Sequence, residues 1–148
     1  MSYDAMSRDE WVAFLRDPVR PALLATTRAD GRPHVAPIWY DLDDGPGDEV
    51  ALVWNTGADT VKGRNIRRDG QVSLCVQDDR PPFSFVTVSG VATWSDDLAE
   101  VRRWAGRIGG RYMGADRADE YGERNGVPGE LVVRLAPTHV VAYKDVAD

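Results

Sequence analysis

The chain has 148 residues, 43% of them hydrophobic and 28% charged, with a net charge of −6 at neutral pH. That length predicts one domain with a core of its own, and that composition excludes global disorder. No apolar run approaches the roughly 20 residues of a membrane helix, and the first residues lack the basic-then-apolar layout of a signal peptide, so a cytoplasmic protein is expected.

In chain order, Ser7-Arg8-Asp9-Glu10 has the form of a capping box. Trp11, Phe14 and Leu15 follow at helical spacing, predicting a short amphipathic helix to about Arg16, ended by Pro18 and Pro21. Pro21 to Thr27 is a short apolar run consistent with a strand. Asp30-Gly31 is a hairpin signal, and Arg32 to Leu42 reads as a second strand. Asp43 to Asp48 reads as a loop, and Glu49 to Asn55 as a third strand ending near Thr56. In a fourth, Val72, Leu74 and Val76 alternate with Ser73, Cys75 and Gln77, and Cys75 is expected in the core.

From Val86 the alternation is clean. Val86, Val88, Gly90, Ala92 and Trp94 share one face. Thr87, Ser89, Val91 and Thr93 share the other, a mixed surface suited to a partner chain. Leu98, Val101, Ala105, Ile108 and Tyr112 step by three and four, predicting a helix over 96–112. Gly114 to Gly129, polar and glycine-rich, reads as a loop with one helical turn, and Glu130 to Ala136 and Thr138 to Lys144 are the last strands. Six or seven short strands with few helices indicate a mainly β, antiparallel barrel rather than a doubly wound sheet.

Chemistry is harder to place. Phosphate-loop, dinucleotide-fingerprint and nucleophile-elbow motifs are missing. His34 and His139 read as ordinary strand residues; with a single cysteine they leave no metal site and no disulfide to expect. An enzyme of this kind would rely on a bound cofactor. Residues 62 to 68, Lys-Gly-Arg-Asn-Ile-Arg-Arg, hold four cations and no carboxylate; subtracting that +4 from −6 leaves −10 on the remainder. A compact positive site on a negative body suits a small anionic ligand and disfavours nucleic acid.

That run follows a strand end and a Gly57 turn, so a short helix opening there offers free amides to an anion. At helical spacing Val61, Lys62, Asn65 and Ile66 face the sheet, while Arg64, Arg67 and Arg68 face away. A lysine on the apolar side must either snorkel or meet an anion, which makes Lys62, Thr56 and Thr60 the candidates for a phosphate. In the second strand Pro37 marks an edge or bulge. Val35, Pro37 and Trp39 share one face there, and Ile38 and Tyr40 the other. A planar ring could lie along it, or Trp39 could belong to the core.

Gly31-Arg32-Pro33 through Trp39-Tyr40, with Thr60-Val61-Lys62-Gly63-Arg64-Asn65-Ile66-Arg67-Arg68-Asp69, resembles the pyridoxamine 5'-phosphate oxidase-like split-barrel superfamily. The likeness is nearest to its small actinobacterial deazaflavin (coenzyme F420)-dependent oxidoreductases. The resemblance implies a split β-barrel of antiparallel Greek-key type and a homodimer with two cofactor sites at its interface. It also implies that Lys62 and its neighbours hold the cofactor phosphate, while Pro37, Ile38 and Trp39 flank a tricyclic ring. The candidate cofactor-binding set is therefore Pro37, Ile38, Trp39, Asn55, Thr56, Thr60, Val61, Lys62, Arg64, Asn65 and Gln77.

The activity implied is a reductase that passes a hydride from reduced F420 to an electron-poor small molecule, with no side chain assigned as acid or base. The cofactor's oligoglutamate tail would run past Arg64, Arg67 and Arg68. The alternatives are the same barrel with flavin mononucleotide (FMN), or a carrier without turnover. Two departures stand out. Thr60 occupies a position that is basic in some relatives, and Arg134-Leu135-Ala136-Pro137 is followed by eleven more residues, so vitamin B6 phosphate oxidation is not expected.

Overall fold

The computed structural model describes residues 3–47 and 49–148. It opens with β1 (Asp4–Ala5), a two-residue strand, and α1 (Arg8–Arg16). The capping box at α1 is formed: the Ser7 hydroxyl accepts from the Glu10 amide, and the Glu10 carboxylate accepts from the Ser7 amide. β2 (Ala22–Thr27) and β3 (Pro33–Ile38) make the expected hairpin, with Gly31 at φ +88° supplying the left-handed turn residue. Then follow β4 (Asp41–Asp44), β5 (Val50–Gly57), α2 (Val61–Arg68), β6 (Gln71–Asp78) and β7 (Ser84–Ser95). The chain closes with α3 (Leu98–Met113), a 3-10 turn (Ala115–Arg117), α4 (Ala118–Asn125), β8 (Glu130–Leu135) and β9 (His139–Lys144).

Among the described residues, nine antiparallel-paired strands form the order β3-β2-β6-β7-β8-β5-β4, with β9 on β7 and β1 on β9. The long strand β7 organises it. Residues 84–91 pair with β6, residues 92–95 pair with β8, and residues 85–89 pair with β9. β8 and β9 thus run end to end past one strand, with Pro137 between them where the register shifts. One strand shared by two sheets in this way gives a split β-barrel. Its interior is filled by Leu24, Tyr40, Leu52, Trp54, Leu74, Val86, Val88, Val133 and their neighbours, with Leu15 of α1 packed in from the side. A second cluster, Val53 and Val132 under Val101, Trp104 and Ile108, lies where α3 covers the outside of β5 and β8. β5 is therefore buried on both faces, and its Val-Ala-Leu-Val-Trp run is nearly continuous rather than alternating.

Five expectations need correction. The second strand is two strands, interrupted at Trp39–Tyr40, and the loop expected from Asp43 starts only after Asp44, with Asp48 outside the described residues. Cys75 lies half-buried on the outer face of β6, opposite Leu23 and Thr87, because the inward positions are Val72, Leu74 and Val76. Trp94 pairs with core residue Val133 but is 44% exposed, since β7 has there run past the end of β6. The stretch from Gly114 to Gly129 holds a 3-10 turn and the two-turn α4 instead of one helical turn. Gly109 of α3 and Gly126 after α4 allow the two helices to pack closely, whereas Gly114 and Gly129 take positive φ (+117° and +95°) at turns. A Cβ on Gly109 would stand 2.2 Å from the Cβ of Tyr121, and one on Gly126 2.6 Å from the Cα of Arg102. Among the described residues, no helix is long and apolar enough to cross a membrane.

Candidate functional site

Among the described residues β3 pairs with β2 alone, so Pro37, which has no amide to give a ladder, stands on an edge strand. The face assignments of this segment hold: Val35 and Trp39 are exposed, whereas Ile38 and Tyr40 are buried. Where the strand breaks, side chains of α3 take over its hydrogen bonding. Tyr112 Oη accepts from the Tyr40 amide at 3.2 Å, and Arg111 Nη1 donates to the Tyr40 carbonyl at 2.9 Å. The Tyr40 hydroxyl donates to the Leu15 carbonyl at 2.8 Å, and burial pushes its pKa up to about 12, so it stays protonated. Trp39 stacks on Tyr112 with ring centroids 4.9 Å apart and planes 5° apart, and leaves 38% of its surface exposed.

A cleft of about 350 Å³ opens between this segment and α3. Pro21, Pro37, Ile38 and Trp39 line one side, Ala105, Ile108 and Gly109 the other, with Asn125 at the end of α4 and Asn55 and Lys62 completing it. A largely apolar lining that includes an exposed tryptophan and a lysine is suited to a planar molecule that carries an anion. Asn55 adds a polar group. Its Nδ2 donates to the Val101 carbonyl at 3.3 Å, while its buried Oδ1 has no partner among the described residues. A buried acceptor left in that state costs about 1–3 kcal/mol, which a bound N–H or O–H would offset.

The start of α2 differs in detail from expectation. Thr60 is its N-cap: the hydroxyl accepts from the Gly63 amide at 3.1 Å and donates to the Gly57 carbonyl at 2.8 Å. Thr56 is buried, its Oγ1 3.3 Å from that of Thr60. Both hydroxyls thus serve the cap rather than the cleft. Asn65 is buried, donates to Thr26 Oγ1 at 3.0 Å and accepts from Arg68 at 2.9 Å, fastening α2 to β2. Arg68 also donates to the Thr27 carbonyl, and Arg67 to the Ala58 carbonyl while 3.7 Å from Asp59. Of the three outward arginines, only Arg64 lacks a partner among the described residues.

Of the expected set, Pro37, Ile38, Trp39, Asn55 and Lys62 therefore share one cleft. Thr56, Thr60, Val61, Arg64 and Asn65 do not line it. Gln77 lies in an adjoining groove of about 380 Å³ with Arg20, Leu23 and Cys75; Pro21 belongs to both. Sequence reasoning missed the wall made by α3 and α4. Helical spacing marks Ala105 and Ile108 as apolar but does not say which surface they cover. It also missed Glu130, which pairs with Gly57 and whose carboxylate lies beside the Gly57–Thr60 turn. Burial raises the pKa of that carboxyl, and the charge of Lys62 acts in the opposite direction. Among the described residues, no group of three or more histidine, cysteine and acidic side chains is placed to hold a metal.

The sequence family described as pyridoxamine 5'-phosphate oxidase matches residues 7–144. No curated protein matches the sequence. Among solved structures, a conserved hypothetical protein from Mycobacterium tuberculosis is 24% identical, with a TM-score of 0.81 over 98% of this chain and 89% of that one. An F420 reductase is also 24% identical, with a TM-score of 0.65 over 86% and 93%. The heme storage protein HutZ from Vibrio cholerae is 19% identical, with a TM-score of 0.67 over 93% and 96%. Such likenesses establish the barrel and not the ligand, since the same architecture serves a reductase and a storage protein. With a family match that runs from the cap of α1 to the end of β9, the chain belongs to the pyridoxamine 5'-phosphate oxidase family.

Proposed function

We propose that this protein is an F420-dependent reductase that binds the deazaflavin in the cleft between Trp39 and α3. The observation that carries the reading is the placement of Lys62 in a cleft whose remaining lining is largely apolar and includes the partly exposed Trp39. The residues present fit the cofactor: a face of Trp39 for a ring, an unmet acceptor on Asn55, a cation for a phosphate. When bound and reduced, the deazaflavin supplies a hydride to an electron-poor acceptor. The chain's own part is positional. Lys62 anchors the phosphate, Trp39 supports the ring, and Ala105, Ile108 and Gly109 keep water from one side of it. Arg64 is left to meet the anionic tail, because Arg67 and Arg68 are already engaged by backbone carbonyls.

A second copy of the chain belongs to this reading. The outer sheet face carries Leu23, Val35 and the 65%-exposed Val91, with Ser73, Cys75, Thr87 and Val141 between and beyond them. Pro37 stands opposite Leu23 on that face, so a partner seated there would lie against the cleft. A dimeric mass in light scattering at micromolar concentration is expected; a monomer would contradict the shared site. The assay for function is oxidation of reduced F420, followed at the absorbance of the oxidised form, with a panel of quinones and enones. Acceptor-dependent oxidation is expected. Tight binding with no oxidation across the panel would favour a carrier, and a yellow protein that releases FMN would favour the flavin alternative.

A further inference from the structure

The seat around Lys62 holds one cation and, across the Gly57 turn, one carboxylate. β8 starts opposite the end of β5, so Glu130 is paired with Gly57 and stands at the opening of α2. Its Oε1 lies 3.9 Å from where a Cβ on Gly57 would sit, and the Thr60 methyl lies 3.1 Å from the same point. Among the described residues its carboxylate accepts no hydrogen bond and makes no ion pair. The charged group that acts on it is Lys62; Asp59, in the connecting turn, points to solvent and is paired with Arg67. The carboxylate therefore occupies part of the field that α2 and Lys62 would otherwise offer an incoming anion.

The two candidate redox cofactors differ at this point. FMN ends in a phosphate monoester, which loses a second proton with a pKa of about 6 and is doubly charged at neutral pH. F420 carries its phosphate as a diester, which holds a single negative charge at every pH where the protein is folded. We propose that Glu130 makes the seat selective for a singly charged phosphodiester and against a doubly charged phosphate monoester. This rests on the reading of the Lys62 cleft as a phosphate seat. The physical reason is charge balance. Lys62 and the amino end of α2 can neutralise one charge on the ligand while Glu130 remains ionised, but a second charge meets the carboxylate in a half-buried setting where screening is weak. The upward push of burial on the Glu130 carboxyl shows that it already lies in such a setting.

The test measures dissociation constants for FMN and F420 between pH 5.5 and 8 with the wild type, Glu130→Gln and Lys62→Ala. Tryptophan quenching or calorimetry supplies the readout. Gln keeps the shape and removes the charge. At pH 7.5 the Gln variant is expected to bind FMN about tenfold more tightly, the scale of one charge pair near a protein surface, with F420 affinity changed less than about threefold. In the wild type, FMN binding should weaken from pH 5.5 to 7.5 as the phosphate takes its second charge beside the carboxylate, and in the Gln variant that weakening should vanish. Equal shifts for both ligands, or FMN affinity unmoved in Glu130→Gln, would overturn the selectivity role while a loss of both ligands in Lys62→Ala leaves the seat standing. If Lys62→Ala changes neither affinity, the seat itself is wrong and the selectivity falls with it.

Discussion

Replacing Gly63 with alanine is expected to lower stability by about 3 kcal/mol, although alanine is the better helix former by roughly 1 kcal/mol in isolation. Gly63 lies in the first turn of α2, where the helix sits directly on the preceding turn. A Cβ there would stand 2.0 Å from the Gly57 carbonyl oxygen and 3.1 Å from that of Ala58. Both are backbone atoms, so no side chain can rotate away and α2 must shift bodily. Such a shift loosens the Thr60 cap and the Asn65–Thr26 bond, and it displaces Lys62 from the cleft. Urea unfolding checks the loss through a lower midpoint at unchanged slope. A midpoint equal to or above the wild type would mean that helix propensity outweighs the contact.

Arg111→Leu is expected to cost a similar amount, about 3 kcal/mol, whereas Arg107→Leu should cost less than about 1 kcal/mol. The two arginines sit one turn apart on α3 and both reach Asp41, at 3.3 and 3.4 Å. Their surroundings separate them. The Arg111 side chain is 11% exposed and donates to the carbonyls of Tyr40, Leu15 and Arg16, whereas Arg107 is 47% exposed and has the Asp41 contact and the face of Trp104. Leu15 and Arg16 are the last residues of α1, whose carbonyls have no partner within the helix, so Arg111 acts as its remote cap. Losing it leaves the Tyr40 carbonyl without a donor, leaves the Leu15 carbonyl to the Tyr40 hydroxyl alone, and frees one end of the β3–β4 break that carries Trp39. Equal midpoints for the two variants would remove that role.

These two residues also show where the sequence stops being legible. Alternation in β6 and β7, the capping box of α1 and the turn at Gly31 are local signals, and the corresponding elements appear within a residue or two of expectation. The break at Trp39–Tyr40 is not local, because Arg111 and Tyr112, some 70 residues on, replace the ladder there. Glycine content between Gly114 and Gly129 suggests a loop, and Gly114 and Gly129 do take positive φ at turns, but Gly126 instead lets the end of α4 press against α3; composition does not distinguish the two uses.

The candidate site divides in the same way. Lys62 stands out by its chemistry at a helix start and Pro37 by marking an edge, while Ile38, Trp39 and Asn55 belong to the set implied by the resemblance; all five share the cleft. Thr56 and Thr60 carry hydroxyls beside that lysine and Asn65 belongs to the set implied by the resemblance, yet their polar groups hold α2 in place. Only the pairing of β5 with β8 brings Glu130 alongside, a contact between residues more than 70 positions apart.

The most direct test is a titration of F420 into wild-type protein and into Lys62→Ala, read by tryptophan fluorescence from the cleft. If Lys62 meets the phosphate, its loss should weaken binding by about 1.5–3 kcal/mol, a shift of roughly ten- to a hundredfold in dissociation constant. Trp39 emission should still be quenched when the variant is saturated. An unchanged dissociation constant, or quenching that persists at wild-type affinity in a variant lacking both Lys62 and Trp39, would place the ligand elsewhere on the barrel and contradict the account.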